Sequence, residues 1–100
     1  MKIKATTPCY KFIDAKPRAQ IEKIKEELAE VEEAYELYRK CCTDEQYVAL
    51  LMEIIDVQAC CKTFIAQLES HCYHGRKPLK TAKKAVLAKN MARGYYTKPE

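Results

Sequence analysis

The stretch TDEQYVALLMEIIDVQACCKTFIAQLES, residues 43–70, decides the fold. Thr43 or Asp44 stands where a helix N-cap belongs, and Gln46, three residues after Thr43, supplies the reciprocal partner of a capping box. From Tyr47 to Leu68 the sequence is apolar nearly all round, with no glycine or proline to break it. A helix of that character belongs at the centre of a core rather than on its surface. The spacing predicts a helix from Thr43 or Asp44 to a left-handed stop at Gly75.

Working outward, two more helices flank it. Pro17 suits a first helical turn, and Ile21, Ile24, Leu28, Val31, Tyr35 and Tyr38 then alternate spacings of three and four, so a helix is expected from Pro17 to about Lys40. A third runs from about Pro78 to Arg93 and stops at Gly94, with a thin apolar face of Ala82, Ala85, Val86 and Met91. Residues 1–15, with Pro8 beside Tyr10 and Phe12, read as an arm that packs on a neighbour. The expected organisation is an arm (1–15), one helical domain (16–96) and a short tail (97–100). The fold class is all-α, a small bundle of three main helices. One hundred residues bury a modest core, so an oligomer that shares its core is expected to complete it.

Composition narrows the function classes. A hydrophobic content of 48% excludes a disordered chain, and two glycines with four prolines exclude a turn-rich β architecture. No window approaches the roughly 18 uncharged apolar residues of a membrane span. The start, MKIKATTPCYKFIDAK, lacks the apolar run of a signal peptide, so a cytoplasmic protein is expected. In that setting the six cysteines (Cys9, Cys41, Cys42, Cys60, Cys61 and Cys72) read as reduced thiols.

The net charge of +4 is unevenly spread: +2 over residues 1–15, −1 over 16–42, −4 over 43–75 and +7 over 76–100. Within the acidic middle, Glu53 and Asp56 are the only charges between Gln46 and Cys61, and they sit three apart among Leu50, Ile54, Val57, Cys60 and Phe64. Two carboxylates in an apolar setting repel each other and lose hydration, so they need a compensating cation. The nearest basic residue in that helix is Lys62, two turns on. In the first helix Glu27 and Glu30 share a side with Gln20 and Lys23, while Glu26 and Glu33 point toward solvent. Antiparallel packing of the two helices sets Glu27 and Glu30 against Glu53 and Asp56. Four carboxylates without a histidine select a hard cation, Mg²⁺ with Mn²⁺ as substitute. Magnesium so bound commonly works with substrate phosphates.

The basic end fits that chemistry. Lys89 and Arg93 lie four apart on one helical stripe and can neutralise phosphate oxygens. Asn90 can bond a sugar hydroxyl or base edge, and Tyr35, Tyr38, Tyr95 and Tyr96 are candidates for stacking. Lys80, Lys83 and Lys84 read as a solvated face. Metal on one side and cations on the other is what a nucleoside triphosphate requires.

Glu26-Glu27-x-x-Glu30, 22 residues, Glu53-x-x-Asp56, and then Lys89-Asn90-x-x-Arg93-Gly94-Tyr95-Tyr96 resembles the MazG-like all-α nucleoside triphosphate pyrophosphohydrolases, in their short phage and prophage form. The resemblance spans about residues 17–96. It implies Mg²⁺-dependent hydrolysis of a (deoxy)nucleoside triphosphate to the monophosphate and pyrophosphate, a house-cleaning activity on the nucleotide pool. It implies that Glu27, Glu30, Glu53 and Asp56 hold metal and serve catalysis, and that Lys89, Asn90 and Arg93, with Tyr96 beside them, bind substrate. It also implies a homodimer or homotetramer whose neighbouring subunits complete the pocket, with no membrane or nucleic-acid partner. A different class, a non-catalytic nucleic-acid-binding or adaptor oligomer using the basic C-terminal helix, accounts for the tail but leaves Glu53 and Asp56 without a reason.

Overall fold

A computed structural model describes residues 2–72 and 74–99 (for Cys72, the backbone alone). The elements are a 3-10 turn at Tyr10–Phe12 and three α-helices: α1 (Pro17–Lys40), α2 (Asp44–Cys72) and α3 (Lys77–Ala92). No strand occurs among the described residues, so the all-α class holds.

Helix α1 begins with Pro17 at its first position, where the missing N–H costs nothing. It closes with the Cys41 N–H donating to the Leu37 carbonyl at 2.9 Å. Thr43 then caps α2: its Oγ1 accepts the Gln46 N–H at 3.2 Å. The short connection folds α2 back antiparallel to α1. The register is visible in the pairs that meet. The Tyr38 and Tyr47 rings lie 5.6 Å apart near the turn, and Gln20 reaches Cys60 and Gln67 at the open end.

Helix α2 stops at Cys72, short of the expected Gly75. Gly75 adopts a left-handed φ of +73° in the connection to α3. The end of α3 follows the expectation closely. Gly94, at φ +71°, donates to the Met91 carbonyl, and Tyr95 N–H donates to the Asn90 carbonyl, both at 3.0 Å. This is a Schellman closure, which requires the left-handed residue that glycine supplies most readily.

The expectation of a deeply buried α2 is corrected. Within one chain α1 covers a single face of α2, leaving Tyr47, Val48, Leu51, Ile55 and Ile65 exposed and Met52 60% accessible. Leu50 and Ala34 are the buried apolar residues, and the most enclosed side chains are polar: Thr63 and Gln67, the latter 0% exposed. Among the described residues α3 packs along neither α1 nor α2. Its first turn alone, at Pro78 and Leu79, faces Ile65 and Leu68 across a shallow depression. The chain is thus a helical hairpin with α3 standing apart rather than a closed three-helix bundle. The radius of gyration is 16.5 Å, against about 13 Å for a compact domain of this length.

The arm follows the C-terminal half of α2. Lys62 Nζ donates to Thr6 Oγ1 at 3.3 Å, Cys9 N–H to Thr63 Oγ1 at 2.9 Å, and Gln67 Nε2 to the Phe12 carbonyl at 3.0 Å, while His71 Nε2 lies 3.1 Å from the Ile13 carbonyl. Residues 6–13 therefore lie on their own chain rather than reaching to another.

Candidate metal centre

The hairpin brings Glu27 and Glu30 of α1 against Glu53 of α2. One carboxylate oxygen from each lies within 4.8 Å of the others. Glu27 and Glu30 are adjacent because residues three apart share a helix face, and Glu53 meets them because the register pairs the middle of α1 with the middle of α2.

The surroundings are electrostatically incomplete. Glu27 is 8% exposed and its Oε1 takes the Lys23 ammonium at 2.9 Å. Its Oε2 is buried with no partner, and so is Glu53 Oε2. Glu53 has no ion-pair partner among the described residues. The Glu27 charge, followed by hydrogen bonding with Glu53 and Glu27, raises the Glu30 carboxyl above its ordinary titration range. The hydrogen bond and the charge of Glu27 push the Lys23 ammonium upward in turn. One lysine thus answers three carboxylates. Two buried lone-pair sites stay open, and each such orphan costs on the order of 1–3 kcal/mol unless something fills it. An all-oxygen donor set of this kind fits a hard divalent cation and does not suit zinc or iron.

Asp56 is not drawn into the cluster. It lies a turn further along α2 and is exposed. The two acids of α2 are therefore distinct, with Glu53 turned to α1 and Asp56 to solvent. Glu33 is exposed, as the sequence predicts for it and Glu26, and it also borders the groove beside the cluster. That groove, of about 360 Å³, is shared by Glu30, Glu33, Gln46 and Glu53. On the other side Lys23 borders a cavity of about 240 Å³ lined also by Gln20, Cys9, Phe12, Cys60 and Thr63.

No family model matches this chain, and no curated protein or solved structure matches it. The site therefore speaks through its own geometry.

Lys89, Asn90, Arg93 and Tyr96 lie together at the end of α3, away from the carboxylates, because α3 does not pack on the hairpin. The Asn90 amide donates to the Tyr96 hydroxyl at 3.3 Å, and the Arg93 guanidinium stands 5.8 Å from the Tyr95 ring centre. The Schellman closure turns Tyr95 and Tyr96 back onto the polar groups of the last turn. Gln20, Thr63 and Gln67 were not singled out for this enclosed role in the sequence. For Thr63 and Gln67 the signal was two polar residues one helix turn apart inside an apolar stretch.

Proposed function

We propose that the chain is a Mg²⁺-dependent pyrophosphohydrolase of (deoxy)nucleoside triphosphates, of the MazG-like kind, with Mn²⁺ as an alternative metal and the nucleotide pool of the cytoplasm as its field. The observation that carries this reading is the Glu27–Glu30–Glu53 cluster with its two buried, unpartnered oxygens. Glu27, Glu30 and Glu53 would hold the cation, with Asp56 positioned to join if its side chain turns inward. A cation there supplies charge neutralisation for the phosphates and lowers the pKa of a bound water.

In the proposed reaction water adds to the α-phosphorus and the bond to the bridging oxygen breaks. Pyrophosphate leaves and Glu30 takes the proton of the water. Lys89 and Arg93 neutralise phosphate oxygens, and Asn90, tied to Tyr96, meets the sugar.

Those four residues belong with the carboxylates only if α3 comes from another subunit, and this is the assembly we propose: a homodimer or homotetramer with α3 of one copy closing the groove of the next. The accessible surface supports it. A chain of 11.6 kDa exposes 8425 Å², whereas a compact monomer of that mass exposes about 5,800 Å². The difference is of the size that obligate interfaces bury. The exposed Val48, Leu51, Met52 and Ile55 are the apolar surface such an interface needs.

The second reading, a non-catalytic nucleic-acid or adaptor oligomer, takes its support from α3 and its flanks. Residues 76–99 hold eight basic side chains and no acid. A pyrophosphate-release assay across ribo- and deoxynucleoside triphosphates, with and without Mg²⁺, separates the two. Release that depends on Mg²⁺ and falls by at least about 100-fold in Glu53→Gln supports the enzyme. Absence of release for every nucleotide, or full release by Glu53→Gln, overturns it.

A further inference from the structure

We propose that Cys9 and Cys60 form a reversible disulfide that fastens the N-terminal arm to α2. The proposal is independent of the metal centre and of any nucleotide chemistry.

The geometry rests on one hydroxyl. Thr63 Oγ1 accepts the Cys9 N–H at 2.9 Å and itself donates to the Ala59 carbonyl at 2.9 Å. That carbonyl belongs to the peptide unit joining Ala59 to Cys60. The Cys9 amide and the carbonyl of the Ala59–Cys60 peptide therefore meet on one hydroxyl, which sets the backbones of the two cysteines side by side. Both cysteines line the same 240 Å³ cavity, together with Gln20, Phe12 and Ala19. Cys60 lies one turn before Thr63, on the helix face that carries the arm, so both side chains open onto shared space. The surrounding contacts hold this alignment, since the arm is tied to α2 at Thr6, Cys9, Phe12 and Ile13.

The other described thiols are differently placed. Cys41 and Cys42 lie at the turn end of the hairpin, and Cys61 is exposed one residue round the helix from Cys60. Desolvation, and then the Glu27 charge, raise the Cys60 thiol above its ordinary pKa. Cys9 is exposed and is the thiol that attacks. With a low-molecular-weight disulfide such as oxidised glutathione, the Cys9 thiolate displaces one glutathione thiolate and forms a mixed disulfide. Cys60, on losing its proton, displaces the second. Two thiols are oxidised to one disulfide, and one oxidised glutathione is reduced to two thiols. The 9–60 linkage would hold the arm across the cavity beside Lys23, and reduction would release it.

The test is equilibration of the full chain, at low micromolar concentration, in buffers of reduced and oxidised glutathione, followed by alkylation and non-reducing peptide mapping. The expected result is a peptide linking Cys9 to Cys60 within one chain, lost in both Cys9→Ser and Cys60→Ser. In each variant the remaining cysteine is left as a glutathione adduct or free thiol. In Cys61→Ser and Cys41→Ser the linked peptide persists. Wild-type protein in which Cys9 and Cys60 stay alkylated under oxidised glutathione, or pair with other cysteines, overturns the proposal. The wild-type mapping decides the matter even if a variant folds poorly.

Discussion

Glu30 gives the carboxylate cluster a pH signature. Its folded-state pKa is raised, so the folded chain binds more protons than the unfolded one. That contribution is present in full below the ordinary glutamate pKa and is lost as pH rises through the raised value. The metal-free protein is therefore expected to lose thermal stability over that interval. A bound divalent cation reverses the trend, because its ligands must be deprotonated, and adds ~2.7 kcal/mol at a free concentration 100 times Kd. Melting curves against pH, in chelator and in Mg²⁺, check both signs; superimposable curves would remove the metal from the account. Gln67 offers a second measurement. It is fully enclosed and donates to the Phe12 carbonyl and to Gln20 Oε1 at 3.3 Å. Gln67→Ala leaves both acceptors unserved and a void behind, and is expected to cost about 2–4 kcal/mol in urea unfolding. At this scale Glu53 was legible because charge in an apolar stretch demands a partner, and Glu27 and Glu30 because their spacing sets them on one helix face. The inward turn of Glu53 and outward turn of Asp56 were not legible, since both lie on the same broad face and only the crossing of α1 over α2 separates them.

At the scale of elements, α1 was legible end to end: Pro17 opens it and its apolar seam carries through to Lys40. Thr43 at the start of α2 and Gly94 after α3 were legible for the same reason, because capping chemistry is local. Gly75 is left-handed as expected but stands in the connection, with His74 before it already outside the helix, since a glycine able to stop a helix need not be its first opportunity to stop. The burial of α2 was misjudged for a deeper cause. An all-round apolar helix states that it will be covered without stating by which chain. The face bearing Val48, Met52 and Ile55 follows a four- and three-residue spacing away from α1, and its covering is expected to come from the proposed second copy. Met52→Glu, at a position 60% exposed in one chain, should leave helicity intact and lower the mass seen by light scattering from dimer or tetramer toward 11.6 kDa. A wild-type chain of monomeric mass at high micromolar concentration would end the shared-core account.

Considered whole, the molecule divides its charge in two: an acidic hairpin that carries the glutamate cluster, and a basic helix, α3, that among the described residues does not pack along it. The sequence placed both halves in order but could not say whether they meet within a chain, because α3 has an apolar face too thin to declare its partner. If each groove is closed by the α3 of a neighbour, two defective chains can repair one another. Glu53→Gln spoils the hairpin and spares α3, and Arg93→Ala does the reverse. A mixed dimer then holds one site with both faults and one with neither. Unfolding and refolding the two inactive proteins together is expected to return about a quarter of wild-type activity, through random pairing.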